Sequence, residues 1–580
     1  MQHYLFVLIF VLLGGGQLVS ANGRLEYVRH NSGNYEAKLY LNLSETVVNW
    51  EARFTFEFDI DGFTIHNPGS QIREQSGNVV VIGNAAQDQH GPGEWSIDFY
   101  VRYLAAMPQL EFAVYNGEDL NTDFIAPPPP TVRPTRPPLP DGDYHYEEVL
   151  GLSLEFYEAQ RSGRLPESNR IMYRGDSFLD DKDGDIDLVG GYFDAGDHVK
   201  FGFPFAYFTT VLNWGIVDYK QGYESAGELQ NALDAVKWSL DYFIKAHPTD
   251  FEFYGQTGDG NQDHGYWGRP EDWTLGARPS FKITQQQPGS ELAGEASASF
   301  ASGYLVFKDV DPTYAATLLN HATTLYDFAN QFRGTYTDAI PAGSFYNSWS
   351  GYGDELGWAA AWLYRATNVT RYLDDVATHW QEFNLGARPM EFSWDDKKAG
   401  LQVLLARITN NQIYKDAAEA FCDYVINDVR RTPKGLVWLS EWGSLRHSSN
   451  VAYICLQAAD AGIKPDAYRA FAKQQINYAL GDGGRSFVVG FGVNPPKSPH
   501  HRSSSCPNRP SPCDYNNGMN NPGPNYQTLW GALVGGPGPN DDYVDDRGDY
   551  IKNEVATDYN AAFQGALAAL QVLKDEGNLP

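Results

Sequence analysis

Asp194 and Asp197 stand three residues apart in GGYFDAGDH, Gly190 to His198, among glycines and aromatics. Two carboxylates that close can hold one water between them, and the more basic of the two can take its proton. Glu554 lies between a Tyr- and Asp-rich loop and the apolar run Ala556 to Asp575. A carboxyl group walled by aromatics has its charged form disfavoured and its pKa raised, as a general acid working near neutrality requires. On these residues alone, the plainer reading of Glu554 is a surface glutamate capping the helix that follows. Ser350-Gly351-Tyr352-Gly353-Asp354-Glu355 has two readings as well. Ser350 can cap a helix with the acids as dipole partners, or the oxygens can hold a calcium ion closed by a carboxylate from elsewhere. Asp181, Asp183, Asp185 and Asp187 do not fit the EF-hand template, because Gly184 falls at its fourth position and Tyr192 at its twelfth. That run reads as mostly a solvated loop.

Other chemistries find no support. The chain has no G-x-S-x-G, H-E-x-x-H or G-x-x-x-x-G-K motif. Its net charge of −30 over 580 residues, with no basic run, repels polyanions and excludes nucleic acid as a partner. The one long apolar run, Leu5 to Leu13, is too short to span a membrane. With Val19-Ser20-Ala21 behind it, the run reads as a secretory signal over residues 1–21, so the mature chain is expected to be extracellular. Cys506 and Cys513 can close a local disulfide in that compartment, while Cys422 and Cys455 read as buried free thiols. Asn42 and Asn368 each begin a glycosylation triplet. Aromatics make up 14% of the chain. Their rings suit the apolar faces of sugars, and an acid pair is all that glycoside hydrolysis needs.

These residues must be positioned by what lies around them. The segment APPPPTVRPTRPPLP is a semi-rigid spacer and places a linker at 126–142. Before it, Trp50, Ala52, Phe54, Phe56, Phe58 and Ile60 alternate with polar residues, as do Trp95, Ile97, Phe99, Val101 and Tyr103. This predicts a small antiparallel β-sandwich over 22–125. Past residue 143 the period becomes helical. The spacing predicts Ala-rich helices at 146–161, 227–246, 292–308, 312–332, 354–367, 397–409, 412–429, 450–461, 465–480 and 556–575.

Residues 143 to 576 resemble the catalytic domain of glycoside hydrolase family nine, the endoglucanase family. The resemblance rests on FYEAQRSG (156 to 163), YRGDS (173 to 177), DLVGGYFDAGDHVKFGFP (187 to 204), SWSGYGDELGWAAAWLYRAT (348 to 367) and SWDDK (393 to 397), with Ser486 to Arg502 and Tyr543 to Ala561 matching two further family patterns. It implies an all-α (α/α)6 barrel with an open cleft and inverting hydrolysis of β-1,4-glucan. Asp197 would be the general base, Asp194 a holder of the water and Glu554 the general acid. His264, Trp267, Tyr346, Trp349, Trp442, Arg446, His500, Arg502 and Tyr559 would bind substrate. A structural calcium would be held by Ser350, Gly351, Asp354, Glu355 and Asp395, with no cofactor for the chemistry. The N-terminal unit resembles a carbohydrate-binding module of family two. The expected protein is a secreted, monomeric endo-β-1,4-glucanase. Its rivals are a catalytically silent glucan-binding protein, disfavoured because both Asp197 and Glu554 are present, and the same enzyme acting on lichenin or another β-glucan.

Overall fold

The computed structural model describes residues 143–509 and 511–580 and, ahead of them, positions 7–13, 17–31, 34–43, 47–48, 50–56, 60–67, 70–84, 89–90, 93–102, 110–115 and 118–120. Strands fill the first part and helices the second, and each forms its own unit.

Two five-stranded antiparallel sheets build the N-terminal unit. One runs in the order Val7–Leu13, Gln17–Asn31, Asn34–Leu43, Gly93–Arg102, Gly62–Ile65; the other runs Glu118–Leu120, Leu110–Tyr115, Glu51–Phe56, Val79–Asn84, Ser70–Ser76. Ala52, Phe54 and Phe56 point inward while Glu51 and Arg53 face out. Phe54 of the second sheet meets Phe63 and Phe99 of the first at ring separations of 5.7 and 5.0 Å. The sheets therefore close on one apolar core, as the alternation predicts. Trp50 is fully buried and meets Trp95 edge-on at 4.9 Å. These two rings pack on each other and do not form a flat outer platform. Phe58, Tyr103 and the Pro-rich stretch 126–142 lie outside the described residues. Val7–Leu13, the core of the expected leader, pairs with the next strand, Val7 opposite Gly23. Cleavage after Ala21 would remove it and leave Asn22 to Asn31 paired with Asn34 to Asn42.

Twelve long helices are found among the described residues of the second unit: α1 Tyr146–Gln160, α2 Gly202–Ser225, α3 Leu229–Ala246, α4 Ser290–Phe307, α5 Pro312–Gln331, α6 Gly353–Thr367, α7 Thr370–Glu382, α8 Lys398–Thr409, α9 Gln412–Asn427, α10 Ser444–Asp460, α11 Pro465–Asn477 and α12 Thr557–Asp575. The even-numbered helices contact one another in a closed ring, α2 to α4 and onward to α12, which returns to α2. Each odd-numbered helix packs outside this ring against its neighbours. That is the (α/α)6 barrel.

Sequence explains the two layers. Outer helix α5 buries Ala315, Leu318, Ala322 and Leu325, one stripe at helical spacing. Inner helix α4 is buried from Ser290 through Gly303 on every side. It uses small residues for close approach: a Cβ on Gly294 would lie 3.0 Å from the Glu355 Cβ of α6. The tight links between partners include Asn368 and Asn410, both left-handed at φ 57° and 55°, a backbone state asparagine tolerates. Such short links make each pair antiparallel, so all six inner helices run the same way. Their N-termini, and the loops leading into them, gather at one end of the barrel.

Two of these helices escaped the periodicity. α2 is buried almost all round through Ile216, so it shows no apolar stripe. α7 was also missed: it buries Tyr372, Val376 and His379 on one face of an otherwise polar helix. α10 also starts earlier than its apolar pattern, at Ser444 and not Asn450. Inside the ring Trp214 meets Trp358, Trp362 and Tyr453 edge-on at 5.5, 5.8 and 5.2 Å. Beyond this plug, Asp218 of α2 accepts from Arg365 of α6, from Arg407 Nη1 of α8 at 2.6 Å and from Trp214 Nε1 at 2.7 Å.

Burial would raise the Asp218 pKa, but the two guanidinium groups hold it below the ordinary carboxylate value. A depressed folded pKa contributes stability above the unfolded value of about 3.9, and that stability is lost as pH falls through the folded value. Asp218→Asn should therefore lower stability at pH 6 by roughly 3 kcal/mol, since it leaves two largely buried cations uncompensated. In urea unfolding followed by tryptophan fluorescence, the gap from wild type should shrink below about pH 4; a gap independent of pH would remove Asp218 from this role.

Candidate active site

The acids singled out in the sequence lie in the loops that enter inner helices. Asp194 and Asp197 precede α2, Trp442 precedes α10, and Glu554 precedes α12. Backbone hydrogen bonds lace these loops together. The Thr557 N–H donates to the Asp194 carbonyl at 2.8 Å, Arg502 N–H to Gly196 O at 3.1 Å, His500 N–H to Asn553 O at 2.8 Å and Gly535 N–H to Glu554 O at 2.8 Å. Gln160, at the end of α1, donates from Nε2 to the Ala195 carbonyl at 2.5 Å, and its Oε1 lies 2.8 Å from His501 Nε2. FYEAQRSG thus brings a residue to the site that its sequence context alone did not mark as functional.

Asp194 and Asp197 are both nearly buried. Asp194 Oδ2 accepts the Tyr346 hydroxyl, and Asp197 Oδ1 accepts the Ala195 N–H at 3.1 Å. Asp194 Oδ1 and Asp197 Oδ2 have no hydrogen-bond partner among the described residues, although His264 Nε2 stands 3.5 Å from the latter. Burial drives the Asp194 pKa well up, and the neighbouring Asp197 charge adds to it. At Asp197 burial pushes upward too, but His264 and the more distant Arg502 outweigh it and hold the carboxyl below its ordinary value. The pair therefore carries one reluctant and one ready anion.

Glu554 Oε2 accepts two hydrogen bonds, from Trp442 Nε1 at 2.6 Å and the Tyr559 hydroxyl at 2.8 Å. Burial raises its pKa despite both. Glu554 is half-buried and makes no cap bond to the helix that follows, whose N-cap is Ala556. Arg446 does not reach outward. It is bound through Nη1 to buried Asp558 at 3.1 Å and lies 5.2 Å above the Tyr559 ring.

His500 donates from Nδ1 to the Arg547 carbonyl at 2.8 Å, and burial pushes its pKa down to about 4. Arg502 Nη1 donates to Asp263 Oδ1 at 2.7 Å. Trp267 is buried, its indole N–H on Ser505 Oγ at 3.0 Å and its ring 5.2 Å from His500. It backs His500 and is not an open sugar platform. Trp349, by contrast, is 76% exposed and Trp442 45%. Asp558 lies inside a quoted motif and Asp263 next to His264, yet only burial distinguishes them from surface acids. Asp181 corrects the solvated-loop reading: it is buried between Lys200 Nζ at 2.7 Å and Arg278 Nε at 3.1 Å, while Asp183, Asp185 and Asp187 are exposed.

The loop ahead of α6 gathers oxygens. Ser350 Oγ donates to the Asp395 carbonyl at 2.6 Å and lies 3.4 Å from Asp354 Oδ1. Asp354 is buried, and burial together with nearby Asp396 pushes its pKa up to about 7. Glu355 turns the other way, into the barrel, with Oε1 3.0 Å from Lys397 Nζ. Among the described residues no three acidic, His or Cys side chains converge on one point. An ion here would need hydroxyl and carbonyl oxygens beside Asp354, which the loop supplies and which suit calcium.

A family model described as glycosyl hydrolase family 9 matches residues 146–567. Endoglucanase A of Bacillus pumilus is 47% identical over 456 residues, covering 75% of this chain and 67% of that relative. Among solved structures, an endoglucanase from the termite Nasutitermes takasagoensis is 57% identical, covers 74% of this chain and 99% of that one, and superimposes with a TM-score of 0.73. Endoglucanase CelQ from Clostridium thermocellum, complexed with cellotriose, is 35% identical, with coverages of 76% and 72% and a TM-score of 0.66.

Gly196 is where these loops come closest. A Cβ there would collide with the His500 carbonyl and lie 2.9 Å from the His501 Cα, both backbone atoms. Gly196→Ala should cut hydrolytic turnover roughly a hundred-fold by displacing Asp197 from the facing loop, with unchanged far-UV circular dichroism. Full activity in that variant would mean the loops are not held by this contact.

Proposed function

Because the chain belongs to glycosyl hydrolase family 9 and is a glycoside hydrolase, we propose that it is a secreted endo-β-1,4-glucanase that inverts the anomeric centre. The observation that carries the mechanism is the pair of buried oxygens, Asp194 Oδ1, with no hydrogen-bond partner among the described residues, and Asp197 Oδ2, with only His264 Nε2 near it at 3.5 Å. Carboxylate oxygens so placed accept the two protons of a water. Asp197, the readier anion, takes one of them as that water attacks, and Asp194, anchored by Tyr346, keeps the water aimed. Glu554 acts from the other side of the glycosidic bond. Its Oε2 already accepts two donors, so its proton is carried on Oε1 and passes to the leaving oxygen.

The β-1,4-glucan substrate follows the names of the relatives, endoglucanases in bacteria and a termite, and the cellotriose held by CelQ. Exposed Trp349 and Trp442 give sugar rings faces to stack on. The Cys506–Cys513 disulfide supports an oxidising compartment and hence secretion. The same proposal includes the leader 1–21, the sandwich 22–125, the linker 126–142, the catalytic unit 143–580 and a monomer. Calcium would be held by Ser350, Gly351, Asp354 and Asp395, offsetting their negative charge and fixing the loop that carries Tyr346 and Trp349.

Release of reducing ends from carboxymethylcellulose, with proton NMR of the first product, tests the function. The first product should be the α-anomer, and a β-anomer would overturn the inverting assignment. Asp197 must be ionised and its pKa is depressed, so the acidic limb of kcat/KM should fall below about pH 4. Glu554 must be protonated and its pKa is raised, so the basic limb should lie above about pH 4.3. Glu554→Gln should abolish the basic limb and lower turnover of unactivated glucan by at least about a thousand-fold while glucan still binds. Separately, chelation with EGTA should lower the thermal midpoint of the wild type and added calcium should restore it. Asp354→Ala should respond to neither, and an equal response in that variant would place the ion elsewhere.

A further inference from the structure

Cys422 and Cys455 lie on neighbouring helices, outer α9 and inner α10, and both are fully buried. Their sulfurs are 2.7 Å apart. Carbon atoms that do not share a bond settle about 3.5–4.0 Å apart, and sulfur is larger than carbon. A bonded sulfur pair sits at about 2.05 Å. Both cysteines are free thiols in the structure, as the sequence reading has them, and their spacing lies between an ordinary contact and a bond. Neither sulfur has a competing role, since no cluster of metal-ligating side chains surrounds them among the described residues.

We propose that Cys422 and Cys455 form a second disulfide, pinning α9 to α10 across the two layers of the barrel. The inference rests on the proposed secretion, because a cytosolic poise would keep the pair reduced. Burial in the finished barrel disfavours the reactive thiolate at Cys422, and the neighbouring Cys455 adds to this. The bond therefore forms while the helices are still closing. The oxidant is a disulfide of the secretory compartment, whether an oxidase or oxidised glutathione. One Cys thiolate attacks it, giving a mixed disulfide and releasing one oxidant thiol; the second Cys thiolate displaces the other. Two electrons leave the protein, and its two thiol protons end on the two oxidant thiols.

The pin sits below a working part of the site. α10 begins at Ser444, directly after Trp442, which donates to Glu554, and carries Arg446, which holds Asp558. A covalent tie at Cys455 limits how far this helix can slide along its outer partner.

The full chain, secreted from a host with an oxidising export pathway, is denatured and treated with N-ethylmaleimide without reductant. No adduct should form, and proteolysis should yield a peptide pair joined through Cys422 and Cys455 beside the Cys506–Cys513 peptide. Two adducts on Cys422 and Cys455, with Cys506–Cys513 intact, would overturn the second disulfide and leave secretion standing. Four adducts would overturn both. As an independent measure, the double variant Cys422→Ala, Cys455→Ala should melt about 5 °C below wild type in oxidising buffer, and most of that gap should close in reductant. A gap equal in both buffers reports only lost packing and would also overturn the proposal.

Discussion

Removing a carboxylate from water disfavours its charge, and the site depends on where that penalty is offset and where it is left in place. Asp197 has it offset by His264 at 3.5 Å and by Arg502. Asp194 and Glu554 keep it, so their acid forms are favoured despite the donors that reach them. The proposed base and acid must coexist at one pH, and three side chains of nearly the same intrinsic acidity would have to provide them. The surroundings set the difference. Burial alone would leave three protonated acids, and full solvation three anions.

The barrel makes such surroundings possible. Six parallel inner helices bring six entering loops to one end, and the loops bond to each other through main-chain as well as side-chain groups. Main-chain bonds place the acids without consuming their oxygens. The supporting charges are paired one step further back: Arg502 with Asp263, Arg446 with Asp558, and Asp181 with Lys200 and Arg278. Each pair is buried, so removing one member leaves an uncompensated charge at high cost. The acids proposed for the chemistry thus have near them acids that hold cations in place.

Much of this was legible in the sequence. Outer helices other than α7 advertise themselves, because one face is wet and the 3.6-residue period survives, as in α5. Inner helices are wrapped by protein, the period fades, and α2 was hidden within what looked like a loop. Asp194 and Asp197 stood out because they sit close together among Gly and aromatics, whereas Glu554 stood out only through the family resemblance. Their supporters did not: Asp263 and Asp558 resemble any other Asp until the fold reveals that each is buried against an arginine. Trp267 and Tyr346 were expected to bind substrate, and spacing could not tell that one is buried with its indole on Ser505 and the other bonded to Asp194. Function of that kind lives in the direction a side chain points, which residue order does not encode.

His500 shows how far direction matters. Its Nδ1–H is committed to the Arg547 carbonyl, and burial keeps the ring neutral, so Nε2 is left as an acceptor. Arg547 cannot shift to release that bond, since its own guanidinium is fixed on the carbonyls of Asn521 and Gly523 and on Asn525 Oδ1 at 2.9, 3.0 and 2.6 Å. Arg502, a few residues away, can only donate. A sugar hydroxyl is both donor and acceptor, so an acceptor imidazole beside a donor guanidinium can engage vicinal hydroxyls in only one orientation. The loop from Met519 to Asn525 therefore influences how a glucose ring would lie against Asp197 without touching it. It acts through one carbonyl oxygen and the tautomer of a single histidine.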